Sequence, residues 1–177
     1  MTVPGSQVPA TPPRLGPPKE LLQSASFLLK RLGFAIKERA LDAFESTGLS
    51  PYHHGVLVLL EEQPCKKQAA IADALGYDRS HLVGMLDELE ERGLIDRRRD
   101  PNDRRRHLVS LTPEGRRALI RLRSIVKRIE DEFFAPLDAE QRATLHALLA
   151  ELASHHDARY APSGDTAPVA GGKPSAA

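Results

Sequence analysis

Over residues 19–46, Leu21, Ala25, Leu28, Leu32 and Ala35 recur at three- and four-residue intervals, and Leu22, Leu29 and Ile36 widen the same face. The spacing predicts one long helix with more apolar surface than a small domain covers on one side. Ser50-Pro51 has the form of an N-cap followed by proline at the first helical position, opening a second helix to about Glu62. A short third helix runs from about Lys67 to Leu75 and stops at Gly76, a C-cap residue. Asp78 caps a fourth, which carries Leu82, Met85, Leu86 and Leu89 inward and closes at Gly93.

The helical period then gives way to two short strand-like stretches, "LIDR" and "HLVSL", separated by Asp100-Pro101-Asn102-Asp103. Proline fixes φ and asparagine tolerates a left-handed backbone, so this is turn chemistry. Thr112-Pro113-Glu114 starts a fifth helix with Leu119, Leu122, Val126, Ile129 and Phe133 on one face. Asp138 with Gln141 forms a capping box for a sixth, which carries Leu145, Leu148, Leu149 and Leu152. The order predicts a mainly α protein with a small β-hairpin: a winged helix-turn-helix lobe plus a helical dimerisation region.

Proline placement sets the outer boundaries. Six of the 14 prolines lie in residues 1–18 and three in 161–177, among Gly, Ala, Ser and Thr. The expected organisation is a Pro-rich disordered tail at 1–18 and a dimerisation helix at 19–49. A DNA-binding lobe follows at 50–112, then C-terminal dimerisation helices at 113–156 and a second disordered tail at 157–177. The chain shows no apolar core of signal-peptide length near its start, and its longest apolar run, Val56 to Leu60, is too short to span a bilayer. A cytoplasmic protein without membrane contact is expected.

Net charge is only +1, which hides a local concentration. From Arg92 to His107 there are seven Arg against three Asp, a local +4 on an otherwise slightly acidic chain. One basic projection of this kind suits a local contact with a polyanion. Single-stranded RNA fits less well, because residues 78–112 contain no Phe, Tyr or Trp ring on which a base would stack.

The stretch "DRSHLVGMLDELEERGLIDRRRDPNDRRRHLVSLTPEG" resembles the multiple antibiotic resistance regulator (MarR) family of winged-helix transcription factors. The resemblance is carried by Leu89 with Gly93-Leu94, by Asp103-Arg104-Arg105 in the wing, and by Leu111-Thr112 followed by Gly115. Upstream, "IADALGYDRS" matches the family's third helix and the start of its recognition helix. Element order extends the likeness to residues 20–155. It implies a bacterial homodimer that binds a pseudo-palindromic duplex operator, most often as a repressor, and releases it when a small molecule or an oxidant binds.

On that footing the fourth helix enters a major groove with Arg79, Ser80 and His81 in its first turn. Arg79 has the fork to take two guanine acceptors, and Ser80 and His81 reach bases or phosphates. The plainer alternative has Ser80 assisting the cap and Arg79 paired with a nearby carboxylate. Val83 and Gly84 stand where relatives often carry polar or basic residues, which predicts sparser base readout, with Gly84 permitting close backbone approach. In the hairpin, Arg104, Arg105 and Arg106 are placed to reach a minor groove. The resemblance makes Arg105 the inserted side chain and Asp103 the group that orients it. Arg97, Arg98 and Arg99 are expected to meet phosphates or pair with Asp96 and Asp100.

Tyr52, His53 and His54, at the start of the second helix, are candidates for an aromatic or acidic effector, or else cap that helix and fill an interface. Adjacent histidines differ by about 100° on a helix, so they do not make a shared metal site. The single Cys65 excludes an intrachain disulfide and multi-cysteine zinc sites. Lys66 and Lys67 beside it leave redox sensing as an alternative, and a winged-helix module that binds only protein partners is another. No cofactor, metal or enzymatic activity is expected: no nucleophile motif or Gly-rich phosphate loop accompanies Cys65, His53 or His54.

Overall fold

The computed structural model describes residues 16–63, 66–100 and 103–161, with the side chains of Lys66 and residues 103–106 outside that description. Its elements are α1 (Lys19–Leu22), α2 (Ala25–Glu45), α3 (Pro51–Glu62), β1 (Lys66–Lys67), α4 (Gln68–Leu75), α5 (Arg79–Glu91), β2 (Ile95–Asp100), β3 (Asp103–Leu111), α6 (Pro113–Phe133) and α7 (Ala139–His156). A 3-10 turn, Ala158–Tyr160, follows. The chain divides into two compact units, Met1–Arg39 and Ala40–Ala177.

In the first unit the expected single helix is broken at Gln23-Ser24. The Ser24 hydroxyl accepts from the Phe27 amide at 3.3 Å, so a side-chain cap restarts the helix inside an apolar-periodic run. Leu21, Leu22, Leu28, Leu29, Leu32 and Phe34 all remain exposed.

The second unit has one core. Phe44 at the end of α2, Val56, Leu57 and Leu60 of α3, Ile71 of α4, Leu82, Leu86 and Leu89 of α5, and Leu119 and Leu122 of α6 are all buried, together with Ile95 and Val109 of the sheet. Helix starts follow local cap chemistry. Thr112 accepts from the Gly115 amide, and Asp138 and Gln141 close a reciprocal box. Gly76 sits at φ +66 as the C-cap of α4, where only glycine is unstrained. The space a Cβ would need there holds the Arg159 guanidinium, whose Nη1 donates to the Asp73 carbonyl at 3.2 Å. An ordered turn at Ala158–Tyr160 falls within the stretch 157–177 expected to be a disordered tail. The tail residues 1–15 and 162–177 lie outside the described residues.

The sheet has three strands in the order β1-β3-β2, one more than expected. Lys66 pairs antiparallel with Val109 and Lys67 with Leu108. β2 and β3 pair from Ile95 with Leu111 to Arg99 with His107, after which the register shifts to Asp100 with Asp103. β3 thus starts four residues earlier than "HLVSL", and Arg104, Arg105 and Arg106 lie in its shifted stretch. Extra residues on one strand are absorbed as a bulge, which periodicity does not reveal.

Thr112 fastens the base of this hairpin. Its amide donates to Leu94 O at 3.1 Å and its hydroxyl to Gly93 O at 2.7 Å, while the same oxygen accepts from the Gly115 amide at 2.9 Å. Gly115 allows the close approach, since a Cβ there would stand 2.0 Å from the Leu94 carbonyl oxygen.

Candidate nucleic-acid interface

The interface is built outward from the start of α5. Asp78 takes the Ser80 amide at 2.9 Å and the His81 amide at 3.1 Å on one carboxylate oxygen, and also accepts from the Ser80 hydroxyl. These hydrogen bonds, the hydroxyl's first, hold the Asp78 carboxyl below the usual carboxylate range. Ser80 is thereby part of the cap. His81 leans edge-on against Tyr52, with ring centroids 6.0 Å apart, and Tyr52 in turn meets Tyr77 at 5.6 Å. Arg79 stands 3.4 Å from Asp73, but its side chain is 74% exposed. An ion pair so exposed contributes at most about 1 kcal/mol and leaves the guanidinium free to turn. Gly84 faces open space, with nothing within 4 Å of where its Cβ would be.

Arg97 departs from its expected partners. Instead of Asp96 or Asp100 it meets two carboxylates of α5, Asp87 at 2.6 Å from Nη2 and Glu90 at 2.8 Å from Nε. The Glu90 hydrogen bond, opposed by partial desolvation and reinforced by Asp87, raises its pKa further. Pairing Arg97 with Val109 in the sheet brings its side chain beside α5, a contact between elements that sequence spacing cannot show. Arg98 does pair with Asp96, at 2.6 Å, and is 81% exposed. Arg99 is exposed and Asp100 buried. The readings for the Asp103, Arg104, Arg105 and Arg106 side chains, and for Cys65, fall outside the described residues.

The two histidines separate as helical geometry requires. His53 is buried as the N3 residue of a capping box: its Nδ1 accepts from the Ser50 amide at 3.0 Å, and its amide donates to the Ser50 hydroxyl at 3.3 Å. Nε2 faces Glu88 of α5 at 3.3 Å without hydrogen-bond alignment. His54 meets Phe44 edge-on at 6.1 Å. Tyr52 remains exposed. Burial pushes His53 below its ordinary pKa near 6.5, against the pull of Glu88 and with help from Arg92 and His81. Burial and Arg123 lower His54.

Both histidines therefore favour the neutral form when folded. Between the lowered values and 6.5 the unfolded chain binds more protons, so stability is complete above pH 6.5 and is lost as pH falls through the folded values. The denaturation midpoint should drop between pH 7 and pH 5, and His53→Asn, which keeps a cap acceptor, should flatten that drop. An unchanged slope in the variant would remove His53 from the account. The lowered carboxylates, Asp78 among them, act in a separate window below pH 3.8.

A cleft of about 480 Å³ lies between the α2–α3 connection and α6, lined by Ser46, Thr47, Leu49, Arg121, Ser124 and Ile125 among others. Among the described residues no group of His, Cys, Asp and Glu is placed to hold a metal, and no helix is long and apolar enough to cross a membrane.

The profile of the MarR family matches residues 49–107, from the cap of α3 into the wing. A protein of Thauera aromatica described as a putative transcriptional regulatory protein for the hcr operon is 36% identical over 129 residues, 68% of this chain and 78% of its own. The chain belongs to the MarR family. This MarR-family chain is a transcriptional regulator with a winged-helix fold. Its backbone superposes on the transcriptional repressor CouR bound to a 23-mer DNA duplex, with a TM-score of 0.71 and 38% identity over 76% of this chain and 96% of that one. CouR from Rhodococcus jostii RHA1 bound to p-coumaroyl-CoA gives 0.66 and 31%, over 78% and 95%.

Proposed function

We propose that this chain is a homodimeric, sequence-specific repressor of duplex DNA that an aromatic, anionic effector releases. One observation carries the reading: an arginine-led, capped helix lies beside a basic hairpin and is joined to it through Arg97. The duplex bound to CouR supports it. α5 enters the major groove with Arg79 foremost, and Arg98 and Arg104 to Arg106 serve phosphates and the minor groove, with Asp103 orienting Arg105. In the first unit the exposed leucines of α1 and α2, and in the second those of α7 with Ile120 on α6, are each apolar surface for a second copy to cover.

The effector is assigned to the cleft beside Thr47 and Leu49, where Arg121 offers a cation to a carboxylate or phosphate. Tyr52, His53 and His54 then act as the link rather than the wall. A ligand pressing on Leu49-Ser50 disturbs the Ser50–His53 cap, and His53 faces Glu88 on α5. The p-coumaroyl-CoA held by the Rhodococcus protein makes that thioester, beside its free acid, the first probe.

Sheared genomic DNA of the source organism, passed over the purified protein, should yield fragments sharing an inverted repeat, which p-coumaroyl-CoA or a related aromatic acid releases. On the recovered operator, Arg105→Ala should weaken binding and lower the log–log salt slope by about 0.9 per half-site. Retention of no fragment above background would refute the reading.

A further inference from the structure

The outward face of α5 is poorer in free polar groups than its sequence suggests. Ser80 gives its hydroxyl to Asp78, His81 turns to Tyr52, and Asp87 is held by Arg97. The side chains left facing solvent in its first two turns are Arg79, held only by its exposed pair with Asp73, and, four residues on, Val83. Val83 is 41% exposed, a β-branched apolar residue in water at mid-helix, where neither helix propensity nor burial favours it. It forms one wall of a concavity of about 210 Å³ between α4 and α5. Ala69, Ala72 and Leu82 complete the apolar lining, and Gln68 and Arg79 stand with them as the polar members. The neighbouring Gly84 presents no side chain to hold a partner away.

A base edge in the major groove offers hydrogen-bond donors, acceptors and a single kind of apolar group, the C5 methyl of thymine. A small apolar hollow flanked by an amide and a guanidinium is complementary to that methyl and to the polar atoms beside it. We propose that Val83 and the hollow between α4 and α5 seat the C5 methyl of a thymine in each operator half-site. The inference rests on the DNA-binding reading above and adds a base identity to it. Arg79 and Val83 are about 6 Å apart along the helix axis, close to two base-pair steps of about 3.4 Å. The thymine therefore lies within about two base pairs of the base that Arg79 meets. Gly84 lets the backbone come near enough for a side chain as short as valine to reach the groove floor.

Replacing single operator thymines with deoxyuridine removes the methyl and nothing else. The wild-type protein should show one position in each half-site where this replacement weakens binding about fourfold, the worth of one buried methyl group. Val83→Ala should bind the thymine operator about as weakly as the wild type binds the deoxyuridine one, and should be indifferent to the replacement there. Sedimentation should match the wild type and melting should not fall, since the side chain is exposed and alanine is the better helix former. A wild type with no methyl-sensitive position, or a Val83→Ala variant equally sensitive at that position, overturns the subsite while leaving DNA binding intact. A changed sedimentation coefficient with methyl sensitivity retained makes the hollow a contact between copies and also overturns it. Failure of the wild type to retain any duplex refutes the DNA-binding reading, and the subsite falls with it.

Discussion

Arg97→Ala should weaken operator binding by about ten- to thirtyfold, although Arg97 need not touch DNA at all. Its guanidinium neutralises Asp87 and Glu90, which are both part-exposed on the recognition helix. Without it, two carboxylates face the phosphates lining the groove. At about 7 Å and a surface dielectric of about 20, each repulsion is worth about 2.4 kcal/mol, which physiological salt screens to about 1 kcal/mol. The diagnostic variant restores the charge balance without the arginine: Arg97→Ala combined with Asp87→Asn and Glu90→Gln should recover most of the affinity in an anisotropy titration. Arg98→Ala, which removes an exposed cation paired only with Asp96 among the contacts described, should cost far less. If Arg97→Ala bound like the wild type, the hairpin would be contributing charge only through its tip.

Gly115→Ala should have the largest effect on stability. The added methyl would lie 2.0 Å from Leu94 O and 2.7 Å from a Leu111 methyl, and the first of these is backbone already fixed by Thr112. Overpacking against atoms that cannot swing aside costs about 3 kcal/mol, a fall of about 6–12 °C in melting temperature for a chain of this size. Gly84→Ala is the matched control. It also adds a methyl to a helix, but into open space, so it should raise stability by up to about 1 kcal/mol. Equal melting of the two variants would mean that the α6 joint relaxes to accept the methyl.

Some of the residues that carried the family resemblance now have physical reasons. Gly93-Leu94, Leu111-Thr112 and Gly115 are one joint, and Asp78 is a cap whose bonds are all within three residues. The cap was legible because its chemistry is local, whereas the joint, whose bonds from Thr112 reach back to Gly93 and Leu94, was legible only through the resemblance. The break at Ser24 was hidden by an apolar period that continues across it. β1 has two residues, too few to show any period, and exists only through partners at Leu108 and Val109. His53 was an open choice between cap and ligand, since a capping box ordinarily carries Glu or Gln at its third position. Arg97 was misjudged because its acids lie seven and ten residues earlier, on another element. Val83 and Gly84 read as a deficit beside relatives richer in polar residues, until the commitments of Ser80 and His81 left them as part of the exposed working face.

β1 also changes the wing mechanically. A strand of nine residues at about 3.3 Å each is an arm of about 30 Å, and a 10° swing about Thr112 would carry its far end about 5 Å, nearly the width of a minor groove. The two-residue splint at Leu108 and Val109 moves the pivot outward, leaving Asp103 to His107 as the free length. The same swing then displaces the tip by only about 3 Å. Two lysines, too few to be noticed as a strand, set how far the end of the hairpin can swing.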